Sequence, residues 1–170
     1  VVVKIEPPTD SEIKLLKKDQ QLISAIQLNT REKKYFKSLL DKNVTSIAIE
    51  HIRDEEGKLP LLRSMSEIAG TSSLLIASEY LSNINTGKGL ILGGITGISP
   101  TDVVIIGAGT VGEYACKTAI GLGANVRVFD TSLSRLKRLE DISNRNISTS
   151  LIVPKILRKA LRRADVVVGA

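Results

Sequence analysis

The chain has 170 residues, of which 42% are hydrophobic and 25% charged, with one Cys, one His and a formal net charge of +6. This composition is typical of a globular protein and argues against a disordered chain, and no apolar run reaches the roughly 18 residues that a transmembrane helix needs. A single thiol forms no internal disulfide, which favours a reducing compartment and a cytoplasmic location. With one Cys and one His, no metal site is expected.

Both ends of the chain have the sequence of a strand interior. The chain begins with Val in the run VVV, and its last six residues are DVVVGA. We therefore expect an internal fragment of a longer protein.

The positive charge is concentrated in the second part of the chain. Residues 100–170 carry 11 Lys and Arg against 6 Asp and Glu, and the preceding residues are close to neutral. Basic surface of this kind suggests nucleic acid as a partner. With only three Tyr, two Phe and no Trp, however, the chain offers no stacking platform for single strands. We assign the excess to solvated helix faces that attract anions in general and expect no nucleic-acid partner.

The first 64 residues alternate between predicted strands and helices. Runs of β-branched and apolar residues predict strands at 1–5, which we expect to be buried, at 21–26 and at 44–50. Capping-box patterns predict that helices begin after Thr9, which pairs with Glu12, and after Asn29, which pairs with Glu32. The βαβαβ order indicates a parallel sheet.

The middle of the chain combines a long helix with a glycine-rich loop. Ser64 and Glu67 form a third capping-box pattern, which predicts a helix from Met65 to Leu81. Residues 83–100 are rich in Gly and mark a boundary or an ordered crossover loop.

Residues 100–170 form the clearest unit. A strand is predicted at 103–106, and the sequence GAGTVG at 107–112 follows it directly. A helix is predicted at 113–122 and a second strand at 125–129. After a helix capped by Thr131 or Ser132 and a loose stretch, a helix begins at Pro154 and a last strand follows at 166–168. The predicted fold is α/β, a Rossmann-type doubly wound parallel sheet with part of a second α/β domain.

The glycine motif has the context that dinucleotide binding requires, since it follows a buried strand and opens a helix. Gly107 permits the tight turn, Gly109 leaves room for a pyrophosphate, and Gly112 lets the helix pack close to the strand. The free N–H groups at the helix start, including those of Thr110 and Val111, then face the anion.

An acidic partner follows at the expected distance. Asp130 lies 18 residues after Gly112, where a carboxylate accepts hydrogen bonds from the adenosine ribose and repels a 2′-phosphate. NAD is therefore favoured over NADP, although Arg135 could cover the adenine or tolerate a phosphate. The alternative is a glycine turn in a protein without a nucleotide, with Asp130 as a helix cap.

Several longer segments match a known family. They are LPLL at 59–62, MSEIAG at 65–70, GKG at 87–89, LGGITGISP at 92–100, the glycine motif, and RADVVVGA at 163–170. On these segments the chain resembles the alanine dehydrogenase and pyridine nucleotide transhydrogenase family, and its loops are closer to alanine dehydrogenase.

The resemblance implies two α/β domains with NAD in the cleft between them. Residues 1–64 are then the C-terminal part of the substrate domain, 65–99 a connecting helix and loop, and 100–170 the first part of the nucleotide domain. It further implies a small amino acid or oxo acid as substrate, a homo-oligomer (a hexamer in alanine dehydrogenases), and Ser66 among the cofactor contacts. A membrane is expected only if the protein is transhydrogenase-like.

Two positions depart from the family pattern. The resemblance implies that alanine dehydrogenases carry a catalytic Lys and a catalytic His in the first domain. If Lys4 is the first Lys of that motif, the corresponding places here hold Glu6 and Gln27. Neither replaces its counterpart, because Gln has no titrating proton and Glu reverses the charge that a carboxylate substrate needs. Lys4 and His51 are weak substitutes, and Cys116 is expected to be a core residue.

Two interpretations therefore stay open. In the first, the protein is an NAD-dependent amino-acid dehydrogenase that converts L-alanine to pyruvate and ammonia. In the second, it binds NAD(H) without amino-acid chemistry, as a transhydrogenase alpha subunit does, or as a catalytically silent NAD sensor.

Overall fold

The computed structural model describes residues 1–83, 86–144 and 146–170. It divides into two compact units, Val1–Ser64 and Met65–Ala170. The strands are β1 (Val2–Val3), β2 (Gln21–Ser24), β3 (Thr45–Ala48), β4 (Asp102–Ile106), β5 (Asn125–Asp130), β6 (Ser148–Leu151) and β7 (Val166–Gly169). The helices are α1 (Asp10–Leu15), α2 (Lys33–Leu40), α3 (Pro60–Leu81), α4 (Thr110–Gly121), α5 (Leu133–Ile142) and α6 (Pro154–Leu161).

The first unit contains a three-stranded parallel sheet in the order β1-β2-β3, as the βαβαβ pattern predicts. Its two helices pack on the same face of this sheet, since one apolar cluster contains the buried residues Ile13, Leu16, Leu22, Tyr35 and Leu39. The row of side chains on the opposite face is open in this unit: Val3 is 73% and Ile47 45% exposed.

The prediction of a buried first strand is therefore wrong. β1 has only two residues, and Val1, Val3 and Ile5 are all exposed. The reason is its position at the edge of the sheet, where the unit's helices cover only the Val2 side.

One of the three predicted capping boxes is confirmed and two are wrong. Thr9 and Glu12 form the predicted capping box of α1. In contrast, α2 begins at Lys33 without a side-chain cap, because residues 27–31 form a turn around Gln27 (φ 53°), whose carbonyl accepts the N–H groups of Thr30 and Arg31.

The long helix α3 begins at Pro60, five residues before the predicted start. Proline fits the first helical turn because its missing N–H has no helical partner there. Ser64 does not cap the helix, since its hydroxyl donates a hydrogen bond to the Pro60 carbonyl (3.1 Å). No helix in the described part of the chain combines the length and the apolar character of a membrane-spanning segment.

The second unit contains a four-stranded parallel sheet in the order β6-β5-β4-β7. The sequence did not predict β6, because its residues, STSL, form no apolar run and lie at the sheet edge. The helix after the glycine motif starts at Thr110, inside the motif and three residues before the predicted start.

Helices cover both faces of this second sheet. Alternate residues of β4 contact different layers: Val103 and Ile105 pack with residues of α4 and α5, and Val104 packs with Phe129 and with Ala160 of α6. The fold is thus the predicted doubly wound α/β arrangement. Burial on both faces also explains why β4 is an unbroken apolar run.

Candidate nucleotide-binding site

The turn between β4 and α4 depends on two of its glycines. Gly107 has φ +114°, and a Cβ there would collide with the Ala170 carbonyl oxygen. A Cβ on Gly112 would collide with the Gly107 carbonyl oxygen and touch Ile105. These contacts draw helix and strand together, which is the role that the motif predicts for Gly112.

The middle glycine faces open space. A Cβ on Gly109 would meet no atom within 4 Å, so another molecule can approach this backbone closely. Gly109 is also the N-cap of α4, with no side-chain cap, and the first helical bond there runs from Glu113 N–H to the Gly109 carbonyl (2.9 Å). The N–H groups before Glu113, including those of half-buried Thr110 and Val111, therefore provide the donors of an anion site.

Asp130 is 4% exposed and lies at the end of β5. Its Oδ2 accepts a hydrogen bond from Ala108 N–H (2.6 Å) and its Oδ1 one from Ser132 N–H (2.7 Å). Burial raises the pKa of this carboxyl, but the two N–H groups and the nearby Arg135 charge outweigh burial and lower the pKa. The result is a fixed, charged carboxylate beside the glycine loop.

Asp130 is not the N-cap of the helix that follows it, which was its alternative role. The N-cap of α5 is Ser132, whose hydroxyl accepts from Arg135 N–H (3.4 Å). Asp130 instead links the end of β5 to the glycine loop. A carboxylate has about four acceptor directions, so Asp130 can also accept a further donor such as a ribose hydroxyl.

A cluster of charged side chains, not predicted from the sequence, lies beside the loop. Glu113, in the first turn of α4, is 5% exposed and pairs with Lys117 (2.7 Å) and with Nη1 of Arg138 (2.7 Å). Burial raises the pKa of Glu113, but the two cations outweigh it and lower the pKa. The i,i+4 spacing of Glu113 and Lys117 is visible in the sequence, whereas the pair with Arg138 forms only on folding.

In the first unit, Lys4 is already engaged. Its ammonium contacts both oxygens of the half-buried Glu12 (2.6 and 2.5 Å). This contact, followed by the hydrogen bonds from Thr9, lowers the pKa of Glu12 to about 2. Lys4 thus ties β1 to the start of α1, and Glu6 is exposed nearby in the chain.

Gln27 and His51 line the same surface groove, at the carboxyl ends of β2 and β3. Glu50, which sequence analysis also missed, orders this groove: its carboxylate accepts from the N–H groups of Gln27 (2.7 Å) and Ile26 (2.9 Å). Burial raises the pKa of Glu50, but these backbone donors outweigh it and lower the pKa. The side chains of Gln27 and His51 are both exposed.

The other predicted residues lie as follows. Ser66 is half-buried on α3. Cys116 is fully buried in the core of the second unit, and burial raises the pKa of its thiol to about 11, as expected for a core residue. Across the three described ranges, no group of three or more His, Cys, Asp and Glu side chains is placed to hold a metal ion.

Two family models match the chain. The N-terminal domain of alanine dehydrogenase/PNT matches residues 1–69, and its C-terminal domain matches residues 73–170. Alanine dehydrogenase of Methanococcus maripaludis is 40% identical over 169 residues, and that of Staphylococcus epidermidis 38% over 170. The chain spans 45% and 46% of the length of these relatives.

Solved structures agree with these matches. An L-alanine dehydrogenase structure superposes with a TM-score of 0.86 at 34% identity, covering 96% of this chain and 45% of that one. A transhydrogenase from Sinorhizobium meliloti superposes with a TM-score of 0.79 at 17% identity, covering 99% and 48%, which shows a common fold. Since family models account for residues 1–69 and 73–170, the chain belongs to the alanine dehydrogenase/PNT family.

Proposed function

We propose that the protein is an NAD-dependent amino-acid dehydrogenase that oxidises L-alanine to pyruvate and ammonia. The observation that carries the proposal is the glycine loop, in which unpaired N–H donors, open space at Gly109 and the charged Asp130 occur together. The alanine dehydrogenases that match the whole chain support the choice of substrate.

The residues of the second unit suit NAD. The N–H groups of Gly109, Thr110 and Val111 would bind its pyrophosphate, aided by the dipole of α4. Asp130 would accept hydrogen bonds from the adenosine ribose and disfavour a 2′-phosphate. Bound NAD supplies the hydride acceptor, and the chain's own residues bind and orient it.

The domain assignment belongs to the same proposal. Residues 1–64 would be the C-terminal part of the substrate domain, 65–99 a connecting helix and loop with Ser66 near the cofactor, and 100–170 the first part of the nucleotide domain. A homo-oligomer and a cytoplasmic location rest on the resemblance and on the single thiol.

A second candidate is NAD(H) binding without amino-acid chemistry. The observation that favours it is that Lys4, at the end of β1, is paired with Glu12. By the resemblance to alanine dehydrogenases, Gln27 and Glu6 would occupy the places of the catalytic His and Lys. A candidate for proton transfer there is His51, which is exposed and lines the same groove as Gln27.

Two measurements on the full-length protein separate the candidates. NADH binding is measured by fluorescence, and NADH production is followed with L-alanine and NAD. Turnover that His51→Gln abolishes, with NADH affinity retained, would support the dehydrogenase. Tight NADH binding without turnover would contradict it and support the second candidate, and absence of NADH binding would contradict both.

A further inference from the structure

The two peptide units that flank Ala108, in the middle of the glycine loop, are each held by a charged side chain. The Ala108 N–H donates to Asp130 Oδ2 (2.6 Å), and the Ala108 carbonyl accepts from Arg138 Nη2 (3.4 Å). Arg138 reaches this carbonyl from α5, 30 residues away in sequence. The loop backbone is therefore fixed by one anion and one cation, both from outside the motif.

Arg138 is itself held in place by Glu113. Its Nη1 donates to Glu113 Oε2 (2.7 Å), and the other oxygen of Glu113 accepts from Lys117 (2.7 Å). Because Glu113 is 5% exposed, its carboxylate cannot turn toward water for other partners. A guanidinium presents several donors in a rigid plane, which lets Arg138 bind Glu113 and the Ala108 carbonyl at once.

The orientation of the Ala108 carbonyl determines that of the next N–H. In a trans peptide the C=O and the following N–H point in opposite directions, and the described residues contain no cis bond. With the Ala108 carbonyl toward Arg138, the Gly109 N–H points away from Arg138. The Gly109 N–H has no hydrogen-bond partner among the described residues, and the space beside Gly109 is open.

We propose that Arg138, held by buried Glu113, is a positioning residue that orients the Ala108–Gly109 peptide so that its N–H is presented to the pyrophosphate of the nucleotide. A reversed peptide would present a carbonyl oxygen to the phosphate and repel it. The proposal rests on the proposed nucleotide binding and adds to it a residue that the glycine motif does not contain.

The test compares a phosphate-bearing ligand with one that lacks phosphate. Dissociation constants for ADP and for adenosine are measured by titration calorimetry or NMR on the full-length protein and on Arg138→Ala. Loss of this charge-assisted bond should weaken ADP binding about tenfold, while adenosine binding should stay within about twofold. Arg138→Lys should fail to rescue ADP binding, because an ammonium is a point charge without the rigid fork.

Lys117→Ala is the matched control. Lys117 contacts the same Glu113 at the same distance but makes no hydrogen bond to the loop. It should leave the ratio of the two affinities unchanged. If Arg138→Ala unfolds, Arg138→Gln provides the same comparison with an uncharged side chain of intermediate length.

The outcomes distinguish this proposal from the proposed function. Equal weakening of ADP and adenosine by Arg138→Ala, no weakening at all, or the same effect from Lys117→Ala would overturn the positioning role alone. Failure of the unchanged protein to bind either NADH or ADP would overturn nucleotide binding as well.

Discussion

In the second unit the central strand β4 is covered by helices on both faces, whereas in the first unit both helices pack on one face of the sheet. The polar groups at the strand ends differ in the same way. Asp130 and Glu113 are at most 5% exposed and have several partners each, while Glu6, Gln27 and His51 are exposed. The candidate nucleotide site is therefore built into the packing of its unit, whereas the polar side chains at the strand ends of the first unit face solvent.

The largest effect that would test this contrast is expected from Gly112→Ala. The new methyl group collides with the Gly107 carbonyl, so helix and loop must separate, at a cost of about 2 kcal/mol in the free energy of unfolding. NADH binding should fall about 100-fold or more, since the donors move apart.

The control is Gly121→Ala on the same helix, where a Cβ meets nothing within 4 Å and stability should rise by about 0.5 kcal/mol. Equal free energies of unfolding for the two variants in urea would contradict the close packing of helix and loop at Gly112.

The next effect concerns Asp130→Ala. NADH binding should weaken by roughly 1–3 kcal/mol, through the ribose and through the loosened Ala108 N–H. Asp165→Ala is the control, because the Asp165 carboxylate likewise accepts a backbone hydrogen bond, from Asp102 N–H (2.9 Å), at the opposite end of β4. It should reduce stability and leave the NADH affinity unchanged. Unchanged affinity in Asp130→Ala would contradict the assignment of the fingerprint.

A smaller effect is expected from Glu113→Gln, with a defined pH dependence. Since folding lowers the pKa of Glu113 below its ordinary value of 4.5, the ion pairs contribute stability above pH 4.5 that is lost as the pH falls through the folded-state pKa. We expect Glu113→Gln to cost about 1 kcal/mol at pH 7, because both cations are half-exposed. Denaturant unfolding at pH 7 and at pH 3 checks this: the difference in stability between the two proteins should be smaller at the lower pH, and an equal difference at both would contradict the ion-pair explanation.

The smallest effect lies in the first unit, at Glu12. Its carboxyl should titrate near pH 2 by NMR, and Lys4→Ala should move the midpoint toward 4.5. The stability that this group contributes is present above pH 4.5 and is lost as the pH falls toward 2. A midpoint that Lys4→Ala leaves unchanged would show that the capping hydrogen bonds from Thr9 alone hold the carboxylate.

Local patterns predicted much of the fold, because the relevant signals lie within a few residues of one another. The capping box at Thr9, the strand–glycine–helix order and the acidic residue at the end of β5 are all features of this kind. The wrong starts of α2 and α3 have local causes of a different sort: the left-handed turn at Gln27 and the acceptance of Pro60 in a first helical turn. Strand β6 was not predicted because its residues, STSL, form no apolar run. It joins the sheet through backbone hydrogen bonds to β5, which depend little on the side chains.

Sequence patterns alone indicate the family, the doubly wound fold class, and the glycine loop with its carboxylate. The contacts around these residues become visible only in the folded structure. There Asp130 accepts from Ala108 N–H, buried Glu113 pairs with Arg138, and Glu50 accepts from Gln27 N–H. The physical reason is that these bonds join residues 22 to 25 positions apart. Their partners meet only after parallel strands and crossover helices have packed, so no short sequence pattern contains them.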